Sequence, residues 1–97
     1  MSNKLRIIAK IEPDGGVQEV VGRDAWALLN LIEAGKRGCT PITTPGPRWS
    51  HYVWKLRGMG FIIETVHEDH GGPFAGTHAR YVLHSQVTIL RELGRAA

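Results

Sequence analysis

The sequence predicts an α+β domain, with two helices framed by antiparallel strand pairs. Three observations carry that expectation. Residues 47–58 repeat apolar side chains at helical spacing and run into Gly58 and Gly60. Residues 61–67 and 79–84 alternate as strands do, on either side of a glycine-rich loop. Residues 4–11 and 17–21 form another strand pair about the turn Pro13-Asp14-Gly15-Gly16.

Taken in order, Leu5, Ile7, Ile8 and Ile11 give the first strand its apolar content, and residues 17–21 supply the second. Two strands alone are not stable in water. This hairpin, within residues 1–22, must complete the core of its own domain or pack on a second copy. Gly22 and Arg23 lead to Asp24, a residue type suited to an N-cap. A first helix is expected over residues 25–34, with Trp26, Leu28, Leu29 and Ile32 on its buried face and Gly35 as C-cap. Lys36 and Arg37 follow as a basic corner, open to solvent or to phosphate.

Residues 38–46 contain Pro41 and Pro45, and Pro47 follows at once. Each proline restricts its predecessor away from the helical region. At most one helical turn is expected there, or an extended segment, with Ile42 tucked into the core. Cys39 is the single cysteine, so no internal disulfide forms. It reads as a small buried side chain in a reducing compartment.

In the second helix Pro47 suits the first turn, where its missing N–H has no helical partner. Trp49, Tyr52, Val53 and Leu56 make one buried stripe. Arg48, Ser50, His51, Trp54, Lys55 and Arg57 lie opposite, and no acidic residue occurs between Glu33 and Glu64. In the strand that follows, Phe61, Ile63 and Thr65 share one face, and Ile62, Glu64 and Val66 the other. The loop of residues 68–78 holds Phe74, which folds back onto the core, packs on a partner or presses into a groove. Residues 85–97 read as a tail or short helix, with Val87, Leu90 and Leu93 on its apolar side. Val87 and Ile89 keep a strand open as the alternative.

The run Leu56-Arg57-Gly58-Met59-Gly60-Phe61-Ile62-Ile63, placed between a helix and a strand–loop–strand, resembles the junction of recognition helix and wing in winged helix-turn-helix domains. The resemblance covers residues 24–84, with the N-terminal hairpin as an addition, and leans toward bacterial or phage-type regulators. It implies that Leu56 packs inward, that the loop is a wing tip, and that Arg80 with His78 makes the wing contact. The family pattern departs at residues 38–46, where the helix that normally braces the recognition helix is broken by proline.

A chain of 97 residues at 42% hydrophobic composition is one domain with a modest core and little room for an enzyme's cleft. A net charge of +3 permits nucleic acid as partner without demanding it. No apolar run reaches the roughly 20 residues of a membrane span, and no signal-peptide layout opens the sequence. A cytoplasmic protein is expected, with no cofactor and no small-molecule substrate indicated. His67, Glu68, Asp69, His70 and His78 are metal-binding residue types around one loop, but their spacing does not direct them inward, so a polar wing is expected rather than a metal site. Neither Ser50 beside His51 nor Cys39 makes a nucleophile–base pair, since adjacent helix residues do not face each other.

Two functions follow. In the first, a transcriptional regulator binds double-stranded DNA. Ser50, His51, Trp54 and Arg57 face the major groove, Arg48 and Lys55 hold phosphates, and His78 and Arg80 serve the wing. In the second, the domain is a protein-interaction module that works through Trp54 and Phe74. A homodimer is compatible with both.

Overall fold

The computed structural model describes residues 4–46, 48–71 and 76–94. Strand β1 (Arg6–Glu12) pairs antiparallel with β2 (Val17–Val21), so the N-terminal hairpin forms about its expected turn. Ile7, Ala9 and Val20 point to one face and are wholly buried. The hairpin therefore completes the core of its own domain.

The other edge of β1 is taken by β5 (Gln86–Leu93), which gives the sheet order β2-β1-β5. This corrects the short C-terminal helix expected from Val87, Leu90 and Leu93. Ile89 sits opposite Ala9 and Val87 opposite Ile11, so β5 lengthens the apolar row that β1 presents to the core. As a helix, the segment would leave the second edge of β1 without hydrogen-bond partners. Leu90 has no partner in the ladder. It falls at the register shift beside Ile8 and Ala9, and so breaks the alternation that marks a strand in sequence.

Helix α1 (Arg23–Ala34) starts two residues earlier than expected. Gly22 holds the N-cap position, its carbonyl accepting the Trp26 N–H at 3.0 Å, and no side chain caps this end. Asp24 is thus not the cap but a residue of the first turn, where its carboxylate meets Lys55 Nζ at 3.1 Å. Ala25, Ala27, Leu28 and Leu31 are buried, while Trp26, Leu29 and Ile32 pack at the rim of the core. Gly35 is the C-cap and begins a short 3-10 turn, Gly35–Arg37.

Beyond it the chain crosses β4 (Gly76–Leu83). Cys39 and Tyr81 exchange both backbone hydrogen bonds, at 2.9 and 2.8 Å. Gly38 has φ 71°, and a Cβ there would stand 2.6 Å from the Tyr81 carbonyl oxygen, so only glycine permits this crossing. The helix expected of a helix-turn-helix shrinks to one turn. Thr40 is buried, its Oγ1 accepts the N–H groups of Ile42 and Thr43, and its carbonyl accepts Thr44 N–H. Thr40 rather than Ile42 fills the inside of this turn; Ile42 is 56% exposed, not in the core.

Helix α2 (Trp49–Gly58) buries Trp49, Tyr52, Val53 and Leu56, the stripe read from the sequence. Pro47 lies outside the described residues. Gly58 is still helical, and the chain reverses at Gly60, φ 103°, where Phe61 N–H reaches back to the Leu56 carbonyl. Phe61 then plugs the core.

β3 (Ile63–His70) and β4 pair along their whole length. The strands expected over residues 61–67 and 79–84 thus extend outward, and His67, Glu68, Asp69 and His78 belong to the ladder rather than to a loop. Cross-strand attraction supports that extension, since Glu68 lies directly opposite His78. Phe74 lies outside the described residues.

The two sheets meet the helices around an aromatic cluster. Trp49 lies between Trp26, at 5.4 Å between ring centroids, and Tyr81, at 6.0 Å. Tyr52 meets Trp26 edge-on at 6.3 Å. The radius of gyration is 14.1 Å, against about 12.5 Å for a compact domain of this length.

Candidate nucleic-acid interface

Two residues along a helix is a rotation of about 200°, so Lys55 and Arg57 mark opposite flanks of α2. Each flank is fastened to a different part of the fold. On one side Arg57 Nε and Nη2 donate to the Ile63 carbonyl at 3.1 and 2.7 Å, and Nη2 also donates to Thr65 Oγ1 at 2.8 Å. This guanidinium ties the helix to the base of β3. On the other side Lys55 pairs with Asp24 of α1.

Between the flanks, the outward crest carries Ser50, His51, Trp54 and Gly58. Trp54 is 69% exposed, and its ring stacks on His51 at 6.0 Å with 25° between planes. The side chains of Ser50, His51 and Trp54 make no hydrogen bond to a described residue. Arg48 stands at the N-terminal end of the helix, exposed.

The wing side chains are arranged differently from expectation. Arg80 Nε and Nη2 grip Glu68 at 2.6 and 2.9 Å, and Arg80 Nη1 donates to the Arg37 carbonyl at 2.7 Å. His78 Nε2 meets the same Glu68 carboxylate at 3.0 Å. Arg80 therefore clamps the wing to the 3-10 turn, with both faces of its fork occupied. Hydrogen bonding from Arg80 holds the Glu68 carboxyl below its usual range, and Glu68 in turn raises Arg80. His84 Nε2 meets Glu64 at 2.7 Å lower on the hairpin. Of the eight interface residues named from sequence, Ser50, His51 and Trp54 share the outward crest and Arg48 stands at the N-terminal end of the helix, and the side chains of these four bond no described residue. Lys55, Arg57, His78 and Arg80 are engaged within the molecule.

No group of three His, Cys, Asp or Glu side chains comes together to hold a metal ion among the described residues. Strand alternation separates His67 and Asp69 from Glu68. Burial pushes the Cys39 thiol up, as suits a packed side chain and not a nucleophile. Among the described residues no helix is long and apolar enough to cross a membrane.

A family model described as a winged helix domain matches residues 17–93. The chain belongs to the winged-helix family. No curated protein and no solved structure matches it. Within the winged-helix frame α2 stands where the recognition helix stands, and β3–β4 is the wing. Strand β1 precedes the matched region, yet it is the central strand of the sheet.

Sequence reading gave no role to Arg23, which lines a groove of about 850 Å³ beside α2 together with Lys4, Trp26, Arg48, Lys55 and the edge of the buried Tyr52. Arg23 lies over the Trp26 ring, 4.9 Å from its centroid. The i, i+3 spacing of an arginine and a tryptophan at a helix start was the available signal.

Proposed function

We propose that this winged-helix domain binds double-stranded DNA through α2 and acts as a small cytoplasmic transcriptional regulator, by analogy with bacterial or phage-type regulators. The observation that carries the reading is the crest of α2. Ser50 and Trp54 are exposed and His51 half-buried, all with their polar ends uncommitted, on a helix whose two flanks are pinned. A pinned helix enters a major groove without losing further freedom, and its crest meets base edges. His51 and Ser50 supply hydrogen bonds, and Trp54 supplies apolar contact to a thymine methyl. Arg48 holds a phosphate, and Lys55 adds a charge shared with Asp24. Arg57, His78 and Arg80 act here by holding the helix and wing in place. The domain works by binding, not catalysis, and a homodimer would read a two-fold site.

The test is titration of labelled random-sequence duplex at low and then rising salt. Affinity that falls steeply with salt reports released counterions and supports the reading. A folded protein that binds no duplex at low salt overturns it.

One observation favours a second reading, a protein-interaction module. Trp54 at 69% and Ile62 at 65% exposure are large apolar side chains left open on and just after α2. Trp54→Ala would then abolish a dimer or partner complex while duplex binding is absent in the parent protein. Sedimentation of both proteins decides it.

A further inference from the structure

The two phosphate strands that border a major groove run along both flanks of a helix lying in it, because the groove is about 12 Å wide and a helix with side chains about 10–12 Å across. On the wing flank of α2 the arginines are spent internally. Arg57 is bonded to Ile63 and Thr65, and Arg80 to Glu68 and Arg37. The opposite flank is the groove between α2, α1 and the β1–β2 hairpin. There Arg23 and Arg48 have no carboxylate partner among the described residues, the groove's own carboxylates Glu19 and Asp24 being paired with Arg6 and Lys55, and the Arg23 guanidinium lies over the Trp26 ring. Tyr52 also lines this groove, and its hydroxyl bonds no described residue. Among the described residues no buried side-chain polar atom is without a partner, so that hydroxyl meets the groove rather than the core.

We propose that this groove is the principal backbone seat of the domain, taking a DNA phosphodiester on the flank of α2 away from the wing. Arg23 and Arg48 pair with the phosphate oxygens, guanidinium groups being the natural partners of that geometry. The Tyr52 hydroxyl donates to the same strand. The apolar floor, Leu5, Val21 and Met59, accepts deoxyribose. The seat takes over the work of the bracing helix that residues 38–46 reduce to one turn. The proposal rests on the DNA-binding reading and adds to it which side of the helix is anchored.

The experiment is fluorescence anisotropy of the full chain on labelled random-sequence duplex at several salt concentrations. Parent protein, Arg23→Ala, Arg48→Ala, the double variant and Arg91→Ala are compared. Arg91 is an exposed strand residue far along β5 and serves as the control. Each groove substitution is expected to lower the slope of log affinity against log salt by about 0.9, and the double variant by about 1.8. Affinity falls several-fold for every duplex alike, because phosphate contacts carry no sequence information. Arg91→Ala leaves the slope unchanged. Arg23→Gln keeps much of the stem on Trp26 and gives the same loss of slope if Arg23→Ala weakens the fold. Unchanged slopes in the groove variants overturn the groove seat while leaving DNA binding standing. An equal loss in Arg91→Ala overturns it too, since any charge would then serve. Absence of duplex binding by the parent protein overturns the DNA reading and this proposal with it.

Discussion

Arg57 bonds one backbone carbonyl through two nitrogens, and one of these also reaches Thr65 Oγ1. Arg57→Ala is expected to cost about 1–2 kcal/mol in urea unfolding, the range for a charge-assisted hydrogen bond that is partly open to solvent. Arg57→Lys should recover only part of it, because an ammonium lacks the planar fork. Trp54 gives the contrasting case. It is mostly exposed, so Trp54→Ala should leave unfolding within about 0.5 kcal/mol while removing duplex binding. Glu68 adds a pH signature. Its carboxyl is held below its ordinary value of 4.5, first by Arg80 and then by His78. Its stabilising contribution is full above the unfolded value and is lost as pH falls through the lower folded one. The gap between the thermal midpoints of the parent and of Glu68→Gln should therefore begin to narrow below about pH 4.5 and close only once the pH is below the depressed folded value. A gap that holds constant into acid would mean that the carboxylate charge plays no part. The exposure of Trp54 was legible in the helical spacing, whereas the bonds of Arg57 and Glu68 were not. Sequence places Arg57 on the polar side of a helix, but the carbonyl it bonds belongs to a strand whose approach angle only the packed fold defines.

At the scale of elements, legibility followed periodicity. The stripe Trp49, Tyr52, Val53 and Leu56 was readable because four residues repeat at one helical period and all four are buried. The faces of β3 were readable for the same reason at period two. β5 misled because Val87, Leu90 and Leu93 satisfy helical spacing, while the unpaired Leu90 interrupts the alternation that would have declared a strand. Ile42 misled because burial was assigned to the most apolar side chain in its turn. The turn is instead organised by a hydroxyl, for Thr40 Oγ1 satisfies two backbone N–H groups inside the fold. Thr40→Val, which keeps the shape and removes the acceptor, should destabilise by about 1–2 kcal/mol, as loss of a helix cap does. Chemical denaturation measures it, and a neutral result would show the turn to be held by Gly38 and the Cys39–Tyr81 bridge alone.

For the whole molecule the sheet order β2-β1-β5 matters most. β2 and β5 are not hydrogen-bonded to each other; each pairs with β1 between them. A chain trimmed to residues 17–97 keeps everything the family model matches but should lose the sheet and expose the core beneath Ile7 and Ala9. Far-ultraviolet circular dichroism would show the loss, and a native-like spectrum from the trimmed chain would mean that β2 and β5 can close on each other. The same arrangement has a consequence during synthesis. β1 leaves the ribosome before the other strands described, and its second edge waits for residues 86–93, which emerge about 80 residues later. Contacts so distant along the chain slow folding, because the intervening loop must close before they form. Until then the nascent chain carries an open strand edge of the kind that recruits neighbouring chains, so the interval between translating β1 and translating β5 is when this protein is most exposed to aggregation.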